Sequence, residues 1–174
     1  MILQKENKIL RGKAEIVANP KSADIKSLIE WMADAMFAEP DGVGIAAPQI
    51  GVGLRVFLVA KDFLRGGTPG VSAKGGSASG GEERKKNGRL VFINPILKKC
   101  SQKKENDIEG CLSVRGVYGE VKRCEKVTVE YFDESGKKHA RGASGLLARV
   151  IQHELDHLNG VLFIDKAKNI KKLT

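Results

Sequence analysis

The chain has 174 residues, 41% hydrophobic and 5% aromatic, and carries a net charge of +9. That length suits a single domain spanning 1–174, able to bury roughly 70% of its unfolded surface without disulfide staples. No apolar run approaches the roughly 18 residues of a membrane-spanning helix.

Three cysteines, Cys100, Cys111 and Cys124, are too few and too odd in number for a disulfide framework. The N-terminal stretch MILQKENKILRGKAEIV scatters charges where a signal peptide needs an apolar core. Both features point to a reducing, cytoplasmic setting. The positive charge attracts anions. However, the lysine-rich stretches ILKKCSQKKEN and KAKNIKKLT interleave no aromatics for base stacking. They read as solvated lysines, not as a surface for a specific nucleic-acid sequence.

In chain order, PKSADIKSLIEWMADAMFAEPDG predicts an amphipathic helix. Ser22 or Asp24 serves its N-terminus, Ile25, Leu28, Ile29, Met32 and Met36 follow the helical apolar period, and Pro40 and Gly42 stop it. GVGIAAPQ is small and glycine-rich, and Leu54 to Ala60 reads as a buried strand. Residues 65–89, rich in Gly, Ser and charge, predict a flexible surface loop inserted in the domain. LVFINPIL predicts a strand, ended by Asn94-Pro95 or soon after. VYGEVKRCEKVTVEYFDESGKKHAR predicts antiparallel sheet, with Val127, Val129 and Tyr131 alternating and DESG as a turn. Strands in the middle with helices at both ends predict an α+β fold: mostly antiparallel sheets around the C-terminal helix, with an additional N-terminal helix.

The C-terminal helix, ASGLLARVIQHELDHLNG, carries two of the three histidines. Ser144 predicts its cap and Asn159-Gly160 its end. His153 and His157 lie about 40° apart around the axis, on the side shared by Leu146 and Val150. They therefore face the core or a cleft. This spacing lets two imidazoles hold one ion from a rigid helix, with Glu154 beside the ion as a general base. Asp156 falls on another side, in a supporting or surface position. A catalytic metal needs a third protein ligand. Zinc endopeptidases of one large class find theirs downstream of such a motif, and this chain continues LNGVLFID without one. The remaining histidine, His139, sits in a polar strand end or loop. Cys111, after the permissive Gly110 in NDIEGCLSV, offers a thiolate suited to zinc or iron(II). Cys100 and Cys124 read as small buried hydrophobes.

GVGIAAPQ (42–49), EGCLS (109–113) and QHELDH (152–157), in that order, resemble the three signature motifs of peptide deformylases. The resemblance extends to LVFINP, the N-terminal helix and the whole GLLARVIQHELDHLNGVLFID stretch, with the 65–89 loop as an insertion. It implies removal of the formyl group from the N-terminal formyl-methionine of new chains. It implies metal ligation by Cys111, His153 and His157, with Glu154 as general acid and base, and Gln49 and the Leu112 backbone N–H holding the oxyanion. It further implies a cleft lined by Gly44 and Ile45, and a buried Glu109–Arg123 pair supporting the cysteine segment. The implied cofactor is one iron(II) ion, although zinc, nickel or cobalt also suits a Cys-His₂ set. The implied partners are formyl-methionyl nascent peptides, bound in extended form. The lysine-rich tail offers either a transient ribosome contact, as in some family members, or a solvated end. Arg115 stands where the family usually has proline, which leaves that turn looser and adds a charge near the cleft.

Overall fold

The computed structural model describes residues 1–61 and 88–172. The loop expected over 65–89 lies outside the described residues, except for its last two positions. Of these, Arg89 is buried and already opens a strand. The elements are α1 (Ala23–Phe37), β1 (Gly44–Ala46), β2 (Val56–Ala60), β3 (Arg89–Cys100), β4 (Lys104–Cys111), β5 (Val114–Cys124), β6 (Lys126–Phe132), β7 (Lys138–Ser144), α2 (Gly145–Leu158) and β8 (Lys168–Lys172). Strands β1-β2-β3-β6-β7 form one antiparallel sheet and β4-β5-β8 a second. Helix α2 touches strands of both sheets. The fold is α+β, as the order of elements predicts.

Each element follows from its local chemistry. Ser22 Oγ accepts from the Ile25 N–H at 3.3 Å and caps α1. The predicted stripe Ile25, Leu28, Ile29, Met32 and Met36 is buried, packing with β2 residues Val56, Leu58 and Ala60. Burying one such side chain fully is worth about 1.5–3 kcal/mol, so this stripe, not helix propensity, fixes α1. Every residue of β2 is buried, as suits a strand covered on both faces. Helix α2 begins after Ser144, but that side chain makes no capping bond. It ends at Asn159, followed by Gly160 at φ 74°. Leu146, at its exposed start, stays in solvent at 50% exposure.

Two expectations are overturned. Strand β3, expected to end at Asn94-Pro95 or soon after, runs on to Cys100. Asn94 adopts φ 50° and the register shifts between Ile93 and Ile96, so the strand passes its proline through a bulge. The bulge is pinned: the Asn94 amide accepts from the Val17 N–H and donates to the Val17 carbonyl, both at 2.8 Å. Cys100 and Cys124 are not two isolated hydrophobes but a disulfide. The far end of β3 lies against the end of β5, with the two Cα atoms 5.8 Å apart, inside the window that a disulfide requires. The bond therefore joins the two sheets. The C-terminal tail also pairs with β5, as the exposed, lysine-bearing edge strand β8.

Candidate metal centre

Cys111 ends β4, and His153 and His157 sit one helical turn apart on α2. Their ligand atoms all lie within 4.8 Å of one another, and Cys111 Sγ is 3.2 Å from His157 Nε2. A tetrahedral ion with typical zinc bond lengths would separate a sulfur and a nitrogen ligand by about 3.6 Å, so the triad is close to the size of an ion's coordination sphere.

The surroundings fit a cation. His153 Nδ1 is 3.0 Å from Glu109 Oε2, which fixes the ring and leaves Nε2 for the centre. Burial opposes a positive charge on His153, yet hydrogen bonds to Cys111 and Glu109 outweigh it and hold the imidazole well above 6.5. His157 is pushed well below 6.5 by burial, then by the charges of His153 and Arg123, so it stays in the neutral form that ligates metals. Its Nδ1 and the Glu154 Oε2 are buried with no protein partner among the described residues.

Glu154 follows His153 on the helix and is 3% exposed. Burial raises its carboxyl to about 7, with the positive His153 working against the shift. A carboxyl poised near neutrality suits proton transfer. The β1 backbone passes directly over it: a Cβ added to Gly44 would lie 2.5 Å from Glu154 Oε1. Only glycine fits there without displacing the carboxylate. Strand β1 is the edge of its sheet. The Ala46 N–H bonds the Gln49 side chain while Val43 O accepts from Ala60 on β2. By the two-residue alternation of a strand, the polar backbone groups of Gly44 and Ala46 point away from β2, toward the open edge.

Gln49 is 1% exposed and held at both ends. Its Oε1 accepts from the Ala46 N–H at 2.8 Å, and its Nε2 lies 3.1 Å from Ser113 Oγ and 3.6 Å from Cys111 Sγ. The amide donor therefore faces the cysteine. Leu112 sits in the turn between β4 and β5, next to Cys111. Ile45 lies between these groups, but its side chain is fully buried in the core and, by the same alternation, its backbone polar groups face β2, so it is not itself open to a ligand.

Behind the triad, Glu109 accepts from Arg123 Nε and Nη2, both at 2.9 Å, as a two-pronged pair. Burial alone would raise the Glu109 carboxyl, but the hydrogen bonds from Arg123 and His153 prevail and hold it well below the usual carboxylate range. Sequence reasoning missed two residues around the site, Arg149 and Ser113, and left Asp156 open. Arg149 Nη1 donates to Glu109 Oε1 at 2.7 Å and to the Val121 carbonyl at 2.9 Å, and its Nη2 donates to the Glu105 carbonyl at 2.9 Å. A signal existed, because Arg149 sits four residues before His153 on the buried side of an amphipathic helix. Asp156, read as supporting or surface, accepts from Arg123 Nη1 and Lys166 Nζ. Ser113, beside Gln49, carries no sequence signal of its own.

A Cys-His-His group that could hold a metal ion, flanked by a buried carboxylate at the open edge of a sheet, is the arrangement of a metal-dependent hydrolase. The sequence pattern of one family, polypeptide deformylase, matches residues 1–173. The chain is similar to the peptide deformylase of Pelotomaculum thermopropionicum, 40% identical over 173 residues covering 99% of this chain and 94% of that one. It is 46% identical to that of Carboxydothermus hydrogenoformans over 147 residues, 84% and 80% of the two chains. The crystal structure of peptide deformylase from Thermotoga maritima superposes with a TM-score of 0.79 at 32% identity, covering 97% of both chains. The Plasmodium falciparum enzyme does so with a TM-score of 0.80 at 34% identity, covering 97% of this chain and 87% of that one. The chain belongs to the polypeptide deformylase family, metal-dependent hydrolases that remove the N-formyl group from nascent peptides.

Proposed function

We propose that in this chain Cys111, His153 and His157 hold one divalent ion for deformylation of formyl-methionyl peptides, with Glu154 moving the proton. The observation that carries this reading is the convergence of the three ligands beside a buried Glu154 oxygen that has no protein partner among the described residues. A divalent ion held there supplies Lewis-acid polarisation and lowers the pKa of water. Glu154 takes a proton from the attacking water and delivers it to the departing amine. The C–N bond breaks, and the products are formate and a free amino terminus. Gln49 Nε2 and the Leu112 N–H steady the charge developing on the formyl oxygen, where one such donor is worth about 3 kcal/mol of barrier. The open backbone of Gly44, next to Ile45, receives the peptide as an added strand. Glu109 and Arg123 keep His153 and the cysteine strand in register.

The proposed native ion is iron(II), since family membership favours it, and a Cys-His₂ set also accepts zinc, nickel or cobalt. The proposed place of action is the cytoplasm. Among the described residues no helix is long and apolar enough to cross a membrane. A transient ribosome contact through Lys168, Lys171 and Lys172 on β8 is proposed too, and salt-sensitive co-sedimentation with ribosomes measures it. The whole reading is tested by purifying the protein without oxygen, quantifying its metal, and assaying formate release from a formyl-methionyl peptide. About one ion per chain with formate release is expected. A metal-loaded protein that cuts internal peptide bonds and releases no formate overturns it in favour of an endopeptidase.

A further inference from the structure

A cavity of about 480 Å³ opens against α2, away from the metal ligands. Its helix residues, Gln152, Leu155, Asp156 and Asn159, fall at i, i+3, i+4 and i+7 and share one side. His153 and His157 lie about 100° further round the axis. The volume falls within the roughly 300–1,000 Å³ of small-molecule sites.

The lining is cationic on one side and apolar on the other. The cations are Lys13, Arg55, Arg123 and Lys166, against a single acid, Asp156. Arg123 is committed to Glu109 and Asp156, and Lys166 to Asp156. Lys13 and Arg55 have no carboxylate partner among the described residues, so the cavity keeps about two uncompensated positive charges. Arg55 anchors itself through Nη1 alone, to the Leu158 carbonyl at 3.2 Å and Asn159 Oδ1 at 3.1 Å. The rest of its planar fork has no protein acceptor among the described residues, a shape that matches a carboxylate. Burial works against the Arg55 charge, and no acid offsets it. The apolar wall is Ile16, Pro95, Ile96, Leu97 and Leu155. Of these, Ile16 is 73% and Ile96 58% exposed, an apolar surface left in water beside the unpaired cations.

We propose that this cavity binds a small amphipathic carboxylate, its hydrocarbon body against Ile16, Ile96 and Leu97 and its carboxylate on Arg55 and Lys13. An inorganic anion would satisfy the cations and leave the apolar wall in water. A neutral hydrocarbon would bury Arg55 further without pairing it. Only a ligand with both parts meets both surfaces. The site is separate from the deformylation cleft and shares none of its metal ligands.

Calorimetric titration of the metal-loaded, full-length protein with octanoate, octanamide and inorganic phosphate tests the proposal. Octanoate is expected to bind at least about tenfold more tightly than either of the others, the worth of one charge-assisted hydrogen bond. Arg55→Met and Ile16→Asp are each expected to weaken octanoate by about tenfold or more while leaving formate release unchanged. Saturating octanoate should not raise the KM for a formyl-methionyl peptide. Phosphate or octanamide binding as tightly as octanoate overturns the proposal. So does octanoate binding that is unchanged in both variants, or octanoate that competes with the formylated peptide and so occupies the cleft.

Discussion

Two ion-pair systems flank the cysteine segment, and they differ in everything but charge. Behind it, Glu109, Arg123 and Arg149 are buried, and the Glu109 and Arg123 side chains are 5% and 4% exposed. In front of it, Arg115 pairs with Glu39 at 2.7 Å, but the Arg115 side chain is 55% exposed. The rear system satisfies nearly every donor and also orients His153, one of the three proposed ligands. The front one is a solvated contact between the start of β5 and the segment that follows α1. Removing one partner of a buried set strands charge in a low dielectric, whereas an exposed pair is screened and costs side-chain entropy to hold. The contrast shows that position, not the count of salt bridges, decides which charges the fold depends on.

Breaking the rear system should have the largest effect. Glu109→Gln leaves two buried guanidinium groups short of their counter-charge and should destabilise by about 3–5 kcal/mol. That lowers the melting temperature by on the order of 10 °C for a domain of this size, readable by calorimetry. The same residue sets a pH dependence. The folded-state pKa of Glu109 lies far below its ordinary 4.5, so the unfolded chain takes up the proton first. Its stabilising contribution is fully present above pH 4.5 and drains away as the pH falls below that value. Acid unfolding followed by circular dichroism should therefore be steeper in the parent than in Glu109→Gln, and equal slopes would remove Glu109 from the account.

A subtler break is Arg149→Met. It leaves the Glu109–Arg123 pair in place but releases the carboxylate from Arg149, which also ties it to Val121 and Glu105. Metal affinity, measured by competition with a chelator, should fall by about 10- to 100-fold, the usual cost of a lost outer partner. Arg149→Lys should recover part of it. Unchanged affinity in the methionine variant would reduce Arg149 to a packing role. Smallest of all should be Arg115→Ala, which removes the front pair. Its stability should stay within about 1 kcal/mol of the parent, and its metal content should be unchanged. A loss comparable to that of Glu109→Gln would erase the comparison.

The same contrast explains what the sequence made legible. His153, Glu154 and His157 could be read because helical spacing alone places them, and Cys111 because its segment resembles a known motif. The α1 stripe and strand β2 were readable from local apolar period and length. The Cys100–Cys124 bond was not, since 24 residues separate its ends and only the meeting of β3 with β5 brings them together. Strand β3 was expected to stop at Asn94-Pro95 or soon after, because proline argues against a strand interior, and nothing local announces the Val17 backbone that pins its bulge. Arg149 was overlooked because a charged residue on a helix is usually solvated. Its partners come from β4 and β5, far away in the chain.

The central claim is that Glu154, and not a ligand role at that position, carries proton transfer next to the Cys111–His153–His157 triad. Glu154→Ala, purified without oxygen, tests it in one preparation by pairing metal content with the rate of formate release. The account predicts about one ion per chain, as in the parent, with a rate lower by about 10²- to 10⁴-fold. Full metal content with a rate within tenfold of the parent would contradict it.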